Sequence, residues 1–161
     1  MRPTTRELLE RIATALEHEV LPSVQDKWAA SVLRSAIQLV GHVAVRAEDE
    51  PRILVEHIAD ARSLLETVAP RLDSGRAEIA ALRDAVSHAL QIPDAAAHDV
   101  AALGVKDESL QAVIELLLRH RDVLLATTHA DQTHADVLDC LRRRLAREHQ
   151  LYFPALTSAP F

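Results

Sequence analysis

Histidine, a chemically versatile residue, occurs nine times among the 161 residues of this chain. Four ionisable side chains at or near apolar helix faces form a candidate polar pocket: His57, His120, Asp131 and His134. Asp131 and His134 are three residues apart, so their side chains share one face of a helix. An imidazole and a carboxylate held in this way are able to bind a metal ion or to transfer a proton.

The metal patterns of known helical bundles cannot be completed in this sequence. Di-metal bundles use a Glu-x-x-His pair on each of two helices, which this chain lacks, and His57 with Asp60 has the reverse order. The run 147–154 is faintly similar to the ending of hemerythrin-like domains, but their His-x-x-x-Glu and His-x-x-x-His pairs are missing. We therefore expect no metal and no cofactor. No Gly-rich phosphate loop, Gly-x-Ser-x-Gly elbow or Cys-x-x-Cys pair assigns a catalytic residue.

The segment Val24–Arg46 has apolar residues over about half of a helical circumference. They form two neighbouring stripes, the first made of Trp28, Val32, Ala36, Leu39 and Val43, the second of Ala29, Leu33, Ile37, Val40 and Ala44. A helix that is apolar over so wide an arc is typical of the centre of a bundle, where neighbours cover it on two sides.

The remaining side of this helix is a polar edge with six members: Ser31, Arg34, Ser35, Gln38, Gly41 and His42. Glycine inside a helix costs about 1 kcal/mol relative to alanine, which favours a close helix contact there. The other interpretation is that Arg34, Gln38 and His42 line a ligand cleft. The close contact is the favoured hypothesis.

The other helices are delimited by capping residues and prolines. Thr4 and Glu7 have the spacing of a capping box, and Pro22 ends the first helix, whose inward residues are Leu8, Leu9, Ile12, Leu16 and Val20. A third helix is expected from Glu48–Pro51 to Pro70, and a fourth from Asp73 or Ser74 to Pro93.

A short helix from Pro93 to Leu103 is expected to end at Gly104, and this weakly patterned stretch is the candidate cover for one end of the bundle. A fifth helix starts at Asp107 or Ser109, and Thr127, Thr128 and Thr133 mark the link to a sixth. Tyr152, Phe153 and Phe161 suggest a tail that folds back. The sequence therefore predicts one all-α domain over residues 1–161, an antiparallel bundle of about five long helices and one short one.

Composition and charge narrow the classes of partner. The net charge of -6 repels polyanions, so we expect no nucleic-acid partner, and the run Arg142, Arg143, Arg144 and Arg147 is best explained as a solvated helix face. The single cysteine, Cys140, and the absence of an apolar run of about 18 residues indicate a cytoplasmic protein with no membrane partner.

Pieces of the first third of the chain resemble a known bacterial family. They are Arg2-Pro3-Thr4 with Glu7–Glu10, then Glu19–Pro22, Ala30–Ala36 and Val45–Glu48. The family is a small all-helical domain of unknown function found beside or fused to aminoglycoside-phosphotransferase-like kinases and acyl-CoA dehydrogenases. The resemblance implies an accessory role beside such an enzyme and assigns no functional residue.

Two hypotheses of function follow. The first is a non-catalytic helical bundle that associates with itself as a homodimer or with a protein partner, because its apolar stripes are wide and its central helix carries small residues. The second is an enzyme that binds a small molecule or a metal in a pocket between helices, with His57, His120, Asp131 and His134 as polar residues.

Overall fold

Helices make up all of the regular structure in the residues that are described. The structure is a computed structural model that describes residues 2–72, 76–125 and 129–156, with Val123 and residues 152–156 described as backbone only. It is 86% helical and shows no strand in these ranges, so the prediction of an all-α bundle is confirmed. The helices are α1 (Thr5–Ala15), α2 (Lys27–Val68), α3 (Ala77–Leu90), α4 (Val100–Arg119), α5 (Arg121–Leu124) and α6 (Ala130–Leu156).

The start of α1 follows directly from the local sequence. The Thr4 hydroxyl oxygen accepts a hydrogen bond from the Glu7 amide at 3.2 Å, and the Glu7 carboxylate accepts one from the Thr4 amide at 2.8 Å. The predicted capping box is therefore confirmed. After Ala15 the chain continues through a π-helical turn, Leu16–Val20, and a 3₁₀ turn, Leu21–Ser23, which contains the expected terminator Pro22.

Two of the predicted helix boundaries are wrong. The helices expected on either side of Pro51 are one continuous helix, α2, and α4 runs through Gly104, which was expected to end a short helix. A single proline removes one helical hydrogen bond and a single glycine costs about 1 kcal/mol, and a long packed helix tolerates either loss. The N-cap of α4 is Asp99, whose carboxylate accepts from the Ala102 amide at 3.0 Å.

Thr133, expected in the link before the last helix, lies inside α6 and is buried. The other expected landmarks Asp73, Ser74, Thr127, Thr128 and the aromatic side chains of the tail lie outside the described residues or side chains.

The chain groups into two compact units. Unit 1 comprises residues 1–50 and 147–161, and unit 2 comprises residues 51–146. Both α2 and α6 contribute residues to each unit. The sequence predicted a single domain over 1–161, and the units are described separately below.

Unit 2 has an extensive aliphatic core. Leu65, Ile79 and Leu110 have no exposed surface, and α3 packs on α4 and α5. Further members of the same buried cluster are Ile58, Ala61, Leu64, Val68, Leu72, Leu82, Val86, Ala89, Leu103, Ile114, Leu117, Leu124, Val137 and Cys140. Cys140 therefore contributes a small, buried side chain to this core.

Candidate interaction surface

The first apolar stripe of α2 lies at the surface of unit 1. Trp28 is 78% exposed, Val32 53%, Leu39 64% and Val43 51%. The expectation that neighbours cover this helix on two sides is therefore wrong for the first stripe. The second stripe lies further inside: Leu33, Ile37 and Val40 are partly buried and Ala44 is buried.

The helix α1 shows the same pattern. Leu8, Ile12 and Val20 were expected to point inward, but they are between 43% and 50% exposed. Leu9 and Leu16 are partly buried. The Arg6 guanidinium donates to the Glu48 carboxylate of α2 at 2.9 Å, so the start of α1 lies beside the far end of this part of α2. Together with Glu10, this carboxylate raises the pKa of Arg6 and keeps it charged.

Periodicity could not distinguish an apolar face that is covered from one that is exposed. The spacing of Trp28, Val32, Leu39 and Val43 predicts a shared face, and this is correct. The number of helices available to cover that face is a property of the tertiary structure. Within the described part of unit 1, the buried hydrophobic residues are Ala30, Ala44 and Leu151, so this unit buries few of its large apolar side chains.

The residues along the polar edge of α2 differ in exposure. Ser31, Arg34 and Ser35 are exposed, whereas Gln38, Gly41 and His42 are partly buried. No heavy atom of the described residues, apart from the local helix, lies within 4 Å of the position that a Cβ on Gly41 would take. The described residues therefore make no close approach at Gly41, and the helix contact expected along this edge stays a prediction. The hydroxyl of Ser35 donates to the Ser31 carbonyl at 3.2 Å, which is a local helical contact.

The four residues of the candidate polar pocket lie in different environments of unit 2. His57 is buried on α2, His120 is a partly buried residue at the C-cap of α4, and Asp131 is exposed in the first turn of α6. His134 borders a narrow, largely apolar cavity that is also lined by Leu117, Leu118, Arg121, Leu124, Leu125, Ala130, Thr133 and Val137.

Of these four candidates, only His134 lines that cavity. Throughout the described ranges, no group of three or more His, Cys, Asp or Glu residues is placed to hold a metal ion. This cavity therefore contains one of the four candidates, and a pocket that is shared by all four stays a prediction.

A polar groove of about 590 Å³ lies between α2 and α6 in unit 2, lined by Ser63, Leu64, Thr67, Arg71, Gln132, Asp136, Asp139 and Arg143. The Asp136 carboxylate accepts from Arg71 at 2.6 Å and from Gln132 at 2.8 Å. These two donors hold the pKa of Asp136 below its usual value, since each favours the charged carboxylate. The groove thus has its central charges paired within the protein.

The arginine run of α6 is engaged in ion pairs. Arg143 donates to Asp60 at 3.1 Å, and both terminal nitrogens of Arg144 donate to the buried Asp107 at 2.8 Å. Arg142 pairs with Asp139 one turn away. Arg142 therefore fits the expected solvated face of the helix. Arg144, in contrast, compensates the buried charge of Asp107 in unit 2.

The segment Lys27–Arg71 satisfies the length and composition test for a membrane-crossing helix, with a mean hydropathy of 1.2 over 18 residues. Core helices of soluble proteins and signal sequences satisfy the same test. In α2 the polar edge with Arg34 and Gln38 lies across the helix from the exposed stripe, so the helix is amphipathic.

Comparison with known proteins adds no relative. No family model matches the chain, and no curated protein and no solved structure matches it at a significant level. The exposed stripe of α2 is therefore interpreted from its own geometry.

Proposed function

We propose that this chain is a non-catalytic interaction protein, and that the exposed stripe of α2 pairs with the same stripe of a second copy. The observation that supports the proposal most strongly is the exposure of Trp28, Val32, Leu39 and Val43 on one face. Large contiguous apolar patches are uncommon on monomeric soluble proteins and mark interaction sites.

The available area is sufficient for a dimer. The four large side chains of the stripe expose roughly 450 Å² in each copy, if a fully exposed side chain of this size has about 150–250 Å². Two copies would bury about 900 Å² from the stripe alone. Leu8 and Ile12 of α1, with Val20 of the π-helical turn, raise the exposed apolar area of unit 1 to about 1,400 Å² for a pair. Stable interfaces bury about 1,200–2,000 Å², so the stripe reaches this size only together with the apolar residues that precede α2.

The spacing of the stripe favours a second copy over an unrelated partner. Val32, Ala36, Leu39 and Val43 follow each other at intervals of four, three and four residues, which is the pattern of the seam of a coiled coil. A two-fold axis across such a seam places one helix against its own copy, so a single surface serves both sides. The small residue Ala36 lies at the centre of the seam, where two helices approach most closely.

An enzyme partner is the second type of occupant, and the sequence resemblance to accessory domains of kinase-like and acyl-CoA enzymes favours it. The two occupants predict different behaviour of the purified chain. A homodimer forms without any other protein, whereas a surface reserved for an enzyme partner leaves the isolated chain monomeric.

Sedimentation equilibrium at concentrations up to about 100 µM tests the proposal, because a dimer with a micromolar dissociation constant is fully formed there. We expect a dimer for the parent chain and a monomer for Leu39→Asp, which places a charge in the centre of the stripe. Leu145→Asp is the matched control, since Leu145 is 68% exposed on α6 in unit 2, and it should remain dimeric. A strictly monomeric parent chain overturns the homodimer.

A further inference from the structure

A second groove of unit 2 has an apolar wall and a cationic end. Its volume is about 300 Å³, at the lower end of the range of pockets that bind small molecules. Six of its lining residues are aliphatic: Val55, Ile58, Ala59, Ala95, Ala97 and Leu103. They come from α2, from the irregular segment that follows α3 and from α4.

Two cations meet at one end of this groove. The Lys106 ammonium and the Arg62 guanidinium, which donates at 2.9 Å, both contact the same carboxylate oxygen of Asp94. Lys106 also donates to the carbonyl of Pro93 at 3.2 Å. Arg62 also lies 3.9 Å from the Glu66 carboxylate, so the position where both cations meet is defined by a single carboxylate oxygen of Asp94.

The burial of the two partners of this ion pair is unequal. The side chain of Lys106 is 3% exposed and that of Asp94 is 79% exposed. A buried ammonium requires a counter-ion, because its desolvation is otherwise costly. The counter-ion here lies on an irregular segment at the surface, so rotation of its side chain into water releases the carboxylate position without disrupting a helix.

We propose that this groove binds a straight-chain carboxylic acid of about eight carbons, whose carboxylate replaces that of Asp94 between Lys106 and Arg62. Val55 and Arg62 are seven residues apart on α2, which is roughly 10 Å along the helix and about the length of such an extended chain. The carboxylate of Asp94 shows the position and the charge that the head group of the ligand must have, while the aliphatic lining accommodates its chain.

The proposal predicts the direction in which ligand affinity changes when Asp94 is replaced, and a purely structural role predicts a different result. If Asp94 competes with the ligand for two cations, its removal by Asp94→Asn strengthens binding. If the pair of Lys106 and Asp94 only fixes the irregular segment, the same substitution weakens the fold and no variant binds the acid. The lowered pKa of Asp94, caused first by the hydrogen bond from Lys106, is consistent with a carboxylate that is charged at neutral pH.

Calorimetric titration of the chain with octanoate, below its micelle concentration, is the primary experiment. We expect saturable binding by the parent chain, weakened about tenfold or more in Lys106→Met and strengthened several-fold in Asp94→Asn. Lys27→Met is the matched control, because Lys27 is the other lysine of the chain and is exposed in unit 1, and it should bind as the parent does.

Two further ligands separate the contributions of the head and the chain. Octanol has the chain without the charge and acetate has the charge without the chain, so both should bind at least tenfold more weakly than octanoate. Equal binding of octanol and octanoate overturns the carboxylate site, as does unchanged octanoate affinity in Lys106→Met. If Lys106→Met fails to fold by circular dichroism, Arg62→Gln replaces it, with a several-fold loss of affinity expected and an unchanged affinity contradicting the proposal.

Discussion

Three carboxylates of unit 2 pair with arginines that are distant in the sequence. Asp60, Asp107 and Asp136 each accept from an arginine that is at least 37 residues away in the sequence. Exposed ion pairs contribute little to stability, whereas removal of one partner of a buried pair leaves an uncompensated charge. The three ion pairs therefore differ in how much they contribute to the stability of the fold. Asp107 with Arg144 is the most buried of these three, and Asp136 with Arg71 is intermediate.

The stability of the fold should depend on pH through Asp136. Its pKa is lower in the folded chain than in the unfolded chain, so its contribution is present above the unfolded value of about 3.9 and is lost as the pH falls through the folded value. We expect Asp136→Asn to lower the free energy of unfolding by roughly 1 kcal/mol at pH 7, since both partners are partly exposed. Urea unfolding at neutral pH and near pH 3 measures the difference, which should shrink in acid.

Asp139→Asn provides the comparison for this experiment. Asp139 lies on the same helix, and its pair with Arg142 is exposed on both sides, so its replacement should change stability little at either pH. An effect of Asp136→Asn that has the same size at both pH values contradicts the assignment to the charge of the carboxylate.

The same distinction between local and distant contacts explains which residues could be predicted from the sequence. Thr4 and Glu7 are three residues apart, so their spacing specifies the contact that they make. Lys106 and Arg62 are distant in sequence, and only the packing of α4 and of the irregular segment against α2 brings both to Asp94. No pattern in the sequence marks a site of this kind.

At the scale of helices, the residues that usually interrupt a helix were given too much weight. α2 contains Pro51 and Gly41, and α4 contains Gly104. In α4 the buried residues Leu103, Leu110 and Ile114 keep helical spacing across the glycine, so packing of this face offsets the local cost. The apolar period was correct, and α2 ends next to Pro70 as expected, whereas the boundaries expected at Pro51 and Gly104 were wrong.

Replacement of the two helical glycines should stabilise the protein. An added Cβ at Gly41 or Gly104 meets no heavy atom of the described residues within 4 Å, so Gly→Ala removes a backbone entropy cost without a clash. We expect each substitution to raise the free energy of unfolding by roughly 0.5–1 kcal/mol. The reverse change at an exposed position of α4, Ala112→Gly, should lower it by a similar amount.

Gly41→Ala also tests which face of α2 is used for association. Gly41 lies on the polar edge, across the helix from Leu39 and Val43, so the substitution should leave the dimer dissociation constant unchanged. Loss of the dimer in Gly41→Ala, measured by sedimentation, would instead place the close contact on the polar edge.

At the scale of the whole molecule, the two units differ in how their apolar residues are distributed. Unit 2 surrounds a cluster of large buried aliphatic side chains. Unit 1 leaves seven large apolar side chains of α1, the π-helical turn and α2 between 43% and 78% exposed. Both have helices with apolar faces and both expose some large apolar side chains, such as Leu145 in unit 2, but only unit 2 has an extensive buried core. Composition and periodicity predicted the class of fold for both, and could not predict this difference because it depends on three-dimensional packing.

The exposed stripe of α2 in unit 1 contains a residue whose fluorescence can be measured. Trp28 is the single tryptophan of the chain and lies at one end of the stripe, so its fluorescence reports this surface alone. We expect its emission maximum to move to shorter wavelength as concentration rises from about 1 to 100 µM, because a dimer removes the indole from water. The midpoint of thermal unfolding should rise over the same range, since association stabilises the folded state by mass action.

Leu39→Asp should abolish both trends, while Leu145→Asp should preserve them. A dimer detected by sedimentation without any change in Trp28 emission would locate the interface away from the stripe. A shift in emission that persists in Leu39→Asp would exclude pairing through the centre of the seam. Together, the mass, the emission maximum and the unfolding midpoint therefore distinguish a dimer formed by the stripe from one formed elsewhere. Only in a dimer formed by the stripe does the replacement of Leu39 change all three measurements.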